Sequence, residues 1–236
     1  GFSMETVYMI GGGAAVLIGI AAWLLFPRYA QPVEQRKHLL MRRRYWLYYA
    51  LTFMAGARRQ IFIVFAGFLM VEKFGFDAAA IAAMFLVNGV LNMLFAPKIG
   101  RLIGKWGERR ALTLEYIGLI GVFAAYAFVE TAWIAVVLYI LDHLFFTMAI
   151  AIKTYLQKIA DPADLAPTAG VAFSINHIAA VGLPALFGVI WVISPAAVFL
   201  SGAVLAFGSL LLARLIPESP EPGREVMLPA TESRAI

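Results

Sequence analysis

Seven stretches of this chain each run about 20 residues or more with almost no charge, the length an α-helix needs to cross a bilayer. They fall at residues 7–26, 45–71, 78–96, 111–129, 131–152, 168–193 and 195–216. Hydrophobic residues make up 62% of the 236 and charged residues only 14%, where soluble domains carry roughly 25% charged residues. A water-soluble fold would have to display the excess on its surface, whereas lipid is itself the solvent for outward apolar faces. No alternating polar–apolar segments suggest a barrel. The expected fold is an all-α integral membrane protein of about seven transmembrane helices.

The cations sort by side. Arg28, Arg36, Lys37, Arg42, Arg43 and Arg44 lie between the first two stretches, and Lys98, Arg101, Lys105, Arg109 and Arg110 between the third and fourth. Lys153 and Lys158 separate the fifth from the sixth, and Arg214, Arg224 and Arg234 come at and after the end of the last. The alternate connections hold only Lys73, and Arg58 and Arg59 sit inside the second stretch. Positive residues concentrate in cytoplasmic loops, so the expected N-terminus is outside and the C-terminus in the cytoplasm of a cell membrane. The same asymmetry accounts for the net charge of +5 without a nucleic-acid partner.

The sequence contains no cysteine, which excludes disulfides and Cys-ligated metal. Residues 1–6 carry Glu5 and no cation, unlike a signal peptide. Because the first residue is Gly1 rather than Met, further sequence upstream is expected. Residues 1–26 read as a single helix, 27–44 as a basic cytoplasmic loop, 45–217 as a six-helix bundle, and 218–236, rich in Pro and Glu, as a disordered tail.

The third connection reads Gly100-Arg101-Leu102-Ile103-Gly104-Lys105-Trp106-Gly107-Glu108-Arg109-Arg110. Its glycines suit a short turn and its cations the headgroup level. The spacing of Gly100, Leu102, Lys105, Gly107, Arg109 and Arg110 resembles the signature loop of the major facilitator superfamily. Two positions depart from that pattern. Gly104 stands where the family has Asp, so the charge relay attributed to that Asp has no carrier here, and Glu108 stands where the family has a cation. The resemblance implies that the first helix, the basic loop and the bundle correspond to the sixth helix, central loop and second half of such a transporter. The partners then implied are the lipid bilayer, a small solute, and a missing N-terminal half (in the same polypeptide or a separate chain) or a second copy.

Charged and polar groups at mid-membrane usually face a cavity or a partner. Arg58, Arg59 and Gln60 occupy the middle of the second stretch, and adjacent side chains on a helix point about 100° apart. One arginine can therefore meet a cavity while the other meets a structural partner. Asn88 and Asn92 share a helix face, and Asn176 and His177 precede Pro184 in the sixth stretch. These seven, Arg58, Arg59, Gln60, Asn88, Asn92, Asn176 and His177, are the candidate solute-binding residues. Asp142 and His143 can change protonation and are candidates for proton coupling, although Asp142 can equally be the ion-pair partner of Arg58 or Arg59. Glu115, Lys153 and Tyr155 read as interfacial anchors. Arginines in a low-dielectric site favour an anion, giving a proton-coupled symporter of a small anionic solute, with no enzymatic activity, metal or cofactor. The rival readings are a haem protein ligated by His143 and His177, and a non-transporting scaffold or sensor.

Overall fold

The computed structural model describes residues 3–27, 33–39 and 41–227, and among them seven helical spans are long and apolar enough to cross a membrane. The fold is all-α, apart from one isolated bridge between Glu221 and Arg224. The chain divides into two units, Gly1–Glu34 and Gln35–Ile236. The first is α1 (Met4–Leu25), whose first turn is capped by the Ser3 hydroxyl accepting from the Thr6 N–H. None of its residues is buried.

The second unit is the six-span bundle. Its first span is not one regular helix: α2 (Trp46–Gln60) passes through a π-helical segment, Ile61–Ala66, into α3 (Gly67–Phe74). Gly75, at φ +68°, closes α3 in the left-handed conformation that glycine adopts freely. Asp77 then caps α4 (Ala78–Trp106) by accepting from the Ala80 N–H at 2.8 Å. The fourth and fifth spans are α5 (Glu108–Ala127) and α6 (Ala132–Phe146), and a 3-10 turn at Thr147–Ala149 joins α6 to α7 (Ile150–Ile159). The last two are α8 (Leu165–Ile193), with Pro184 inside it, and α9 (Pro195–Arg214).

α4 is longer than its apolar stretch. Its 29 residues extend about 43 Å at 1.5 Å per residue, against roughly 30 Å of hydrocarbon. Gly100, Leu102 and Lys105 are therefore helical rather than part of a turn, and the backbone reverses at Gly107 alone. Hydropathy ends with the charged residues, but an amphipathic extension stays helical because Ile103 is buried while Arg101 and Lys105 are exposed.

The segment after Pro217 is also not disordered as composition suggests. Met227 donates its N–H to the Leu215 carbonyl at 2.8 Å, the Tyr155 hydroxyl donates to the Glu225 carbonyl, and Pro220 is buried. Backbone partners on the bundle hold it despite its polar composition. Residues 228–236 lie outside the described residues, as do Arg28 and Arg234.

α2 packs against α8 and α9, and α5 lies along α9. Glycines permit close approach at two interfaces, Gly202 where α9 meets α5 and Gly118 where α5 meets α6. A Cβ on Gly202 of α9 would stand 3.0 Å from the Phe123 ring and 3.3 Å from Ile61, and one on Gly118 of α5 would stand 2.4 Å from the Phe145 ring. Tyr126 and Phe199 stack across the α5–α9 interface at 4.9 Å. Inserting volume into a packed interface costs about 1–3 kcal/mol. Gly202→Leu is therefore expected to lower thermal stability in detergent, whereas Gly121→Leu, where nothing lies within 4 Å, leaves it unchanged. Equal melting of the two variants would show that α5 and α9 do not depend on this contact.

Candidate functional site

The adjacent arginines of α2 part company. Arg58 is fully buried and Arg59 is exposed. Side chains lean toward the N-terminus of their helix, and Arg58 thereby reaches Ser209 on α9, Glu115 on α5 and the ring of Tyr116. Its Nη1 donates to the Ser209 hydroxyl, which in turn donates to the Leu205 carbonyl at 2.7 Å. Its Nη2 lies 3.6 Å from Glu115 Oε1, an ion-pair separation longer than a hydrogen bond. The guanidinium carbon stands 4.5 Å from the centre of the Tyr116 ring, close enough for a cation–π attraction.

Glu115 is thus no interfacial anchor. It lies seven residues into α5, about 10 Å along it, and is fully buried. Asp142 of α6 is equally buried, and its two oxygens have no hydrogen-bond partner among the described residues. It lies within electrostatic reach of both Arg58 and Glu115. The expected partner of the arginine, Asp142, is therefore the second carboxyl of a three-charge cluster, with Glu115 the one in ion-pair contact. One guanidinium faces two carboxyls, and electroneutrality needs one proton between them.

The remaining candidates surround this cluster without forming one set. Arg59 makes no ion pair among the described residues and lies within electrostatic reach of half-buried His143, whose ring is 6.0 Å from Phe62. Gln60 is half-buried beside it. Exposed Asn176 packs its side-chain oxygen against the Gly56 backbone, where a Cβ would approach to 2.4 Å. Asn88 is buried and its amide has no hydrogen-bond partner, whereas Asn92 is exposed. His177 stacks on Phe173 at 4.0 Å, with Nδ1 2.9 Å from the Phe173 carbonyl. That local engagement ties His177 to its own helix and not to His143.

Irregular backbone follows both charged sites. The π segment starts immediately after Gln60, and the 3-10 turn comes five residues after Asp142. π turns inside α-helices concentrate at functional sites because they offset the register and loosen local hydrogen bonding.

The arginine-rich end of the bundle is held by two further acids. Asp164, fully buried, receives Arg42 through two nitrogens, Nε to Oδ2 and Nη2 to Oδ1 at 3.1 Å. Arg36 stands at 3.0 Å, Arg44 at 3.7 Å, and the Tyr45 hydroxyl donates to the same carboxylate at 3.4 Å. Gln35 adds a hydrogen bond to the Pro162 carbonyl and accepts one from the Ala166 N–H. From Gln35 onward the basic loop is thus fastened to the connection between α7 and α8. Glu108, the acid where a cation was expected, is buried and pairs with Lys158 at 2.8 Å. Gly107 before it has φ +80° and ψ 159°, a region open essentially to glycine alone. Gly104 is exposed with nothing near its Cβ position, so an Asp would fit there sterically.

A family model described as Major Facilitator Superfamily matches residues 1–184. No curated protein shows significant similarity to the chain.

The Asp164 contacts generate one expectation directly. Segments open to proteases according to the local free energy that holds them. Asp164→Asn should speed tryptic cleavage after Arg36 and Arg42 several-fold in the detergent-solubilised protein, read by intact mass. An unchanged rate would mean that the loop is fastened by its backbone contacts alone.

Proposed function

The chain belongs to the major facilitator superfamily, and from that premise we propose that it is a proton-coupled secondary transporter of a small anionic solute. The family is one of transporters, and the chain is a multi-pass membrane protein. The observation that carries the finer reading is the buried Arg58–Glu115–Asp142 cluster next in the chain to exposed Arg59, which makes no ion pair among the described residues. A cation at mid-span without a counter-charge favours an anion as its ligand. Gln60 follows it in α2, His143 of α6 lies within its electrostatic reach, and Asn176 of α8 packs against Gly56 on α2; these join it in the proposed site. Asn88, Asn92 and His177 belong to the outer part of the same reading.

In this mechanism Arg58 stays enclosed and does not touch solute. The single proton shared by Glu115 and Asp142 sets whether Arg58 is over- or fully compensated. Its loss would tighten the pull of the two carboxylates on Arg58, one residue from Arg59 and next to the π segment. The solute on Arg59 and the proton on the carboxyls are thereby coupled through one turn of helix. Alternating access would come from rocking of the six-span bundle against a partner half. The division of the chain into a single helix and a six-span bundle supports its assignment as the later part of such a transporter, completed by an N-terminal half or a second copy.

The test uses the membrane-reconstituted protein and a panel of small carboxylates, sulfonates and phosphate esters, with an internal pH dye. Uptake accompanied by proton entry is expected for at least one anion. Asp142→Asn should fold normally, because Glu115 still compensates Arg58, yet transport without proton movement. The double change Glu115→Gln/Asp142→Asn strands a buried arginine, which costs about 3–5 kcal/mol, and should fail to accumulate. Arg59→Gln should accumulate normally and not transport. Wild-type proton-coupled flux in both Asp142→Asn and Arg59→Gln would refute the assignment.

The orientation rests on the charge asymmetry of the loops and has its own check. The chain has no cysteine, so single cysteines report cleanly. In intact cells a cysteine at exposed Glu130 should react with an impermeant thiol reagent and one at exposed Lys105 should not. The opposite labelling would invert the topology.

A further inference from the structure

The arginine-rich end of α5 and α9 carries a second feature, outside the solute and proton groups of the proposed mechanism. A groove of about 550 Å³ opens there, lined by Trp106, Arg109, Arg110 and Arg214. Arg109 and Arg110 lie in the first turn of α5 and Arg214 ends α9, so antiparallel packing brings the three cations to one place. None of them makes an ion pair among the described residues, where the side-chain hydrogen bond of Arg109 goes to the Met227 sulfur at 3.1 Å. Glu218 is the one acid in the lining. Several cations at this end have carboxylate partners, Arg36 and Arg42 with Asp164 and Lys158 with Glu108, whereas the three in the groove are gathered together without one. The groove at the opposite end of the bundle contains one cation, Lys73, already paired with Glu130 at 2.9 Å.

Below the arginines the groove floor turns apolar. Leu114 and Ile117, three residues apart on one face of α5, are both exposed and both line it. From Arg110 to Ile117 the helix descends about 10 Å, from headgroup depth into hydrocarbon. Trp106 sits at the level where indole rings anchor to the membrane interface. A ligand that fits must be anionic at one end, able to accept paired guanidinium hydrogen bonds, and apolar at the other. We propose that this groove is a binding site for an anionic phospholipid, its phosphodiester between Arg110 and Arg214 and one acyl chain along Leu114 and Ile117.

The full chain, purified in detergent and analysed by native mass spectrometry with equimolar phosphatidylglycerol and phosphatidylcholine, tests this. Phosphatidylglycerol adducts should predominate. Arg110→Gln/Arg214→Gln should weaken phosphatidylglycerol retention by about fivefold for each arginine removed, with phosphatidylcholine retention unchanged as the sign of an intact fold. Lys105→Gln, outside the groove, should have no effect. Millimolar inorganic phosphate should not displace the lipid. Equal retention of the two lipids, equal loss in Lys105→Gln, or displacement by phosphate would each overturn the proposal, the last by showing a site for free anions. Loss of proton coupling in Asp142→Asn bears on none of these results.

Discussion

A guanidinium without access to water sits at the centre of this bundle, and its requirements organise the helices around it. Burying an arginine is tolerable only when charge and hydrogen bonds are supplied from within the protein. Here the supply comes from three different helices: the hydroxyl of Ser209 on α9, the carboxyl of Glu115 and the ring of Tyr116 on α5, and the charge of Asp142 on α6. α5 and α9 must therefore lie against each other, with α9 against α2 and α5 within reach of the Arg58 side chain. Gly202 permits the approach of α9 to α5, and Gly118 that of α6 to α5, because neither carries a side chain that would hold the helices apart. Packing and electrostatics thus call for the same arrangement.

The arginine-rich end solves a different problem. Cations outnumber acids there, and two buried acids do the organising. Asp164 collects Arg36, Arg42 and Arg44 and ties the loop after residue 34 to the start of α8, while Glu108 pairs with Lys158 and joins the start of α5 to the end of α7. The departure of Glu108 from the family pattern is explained by that pair: an acid at this position takes up a cation from α7 where a cation would repel it. Gly104 has no comparable compensation, because nothing packs against it.

The spans, their order and the separation of one helix from six could be read from the chain because hydrophobic length is a property of consecutive residues. Helix ends could not: α4 continues to Trp106, with Ile103 buried and its cations exposed, past the point where hydropathy reports helicity. Arg58, Arg59 and Asp142 stood out as charges at mid-span. Glu115 did not, since its nearness to the charged end of α5 is the same whether it faces lipid headgroups or the core. Which face it turns depends on α9, fixed only in three dimensions. Asp164 was similarly hidden among several loop acids. The tail after Pro217 has the composition of a disordered segment, and its order as far as Met227 comes from carbonyl and amide partners that composition cannot register.

Arg58 and Arg59 occupy consecutive positions, so anything that moves one moves the other. In a regular α-helix that linkage would be stiff, each residue clamped by bonds four residues away. The π segment that begins two residues after Arg59 relaxes this clamp on one side, because its wider hydrogen-bonding pattern can shift along the helix at small cost. The inner arginine is held by groups on α5, α6 and α9, and the outer one has no counter-charge among the described residues. In the proposed mechanism a change in proton count inside the cluster would act on a pair of charges held at one end and free at the other. Burial makes that change energetically large, since charges separated by protein rather than water interact strongly. Under that proposal the π segment at Ile61–Ala66 is where the helix would yield, so that the change would be expressed at Arg59 rather than as strain in the core.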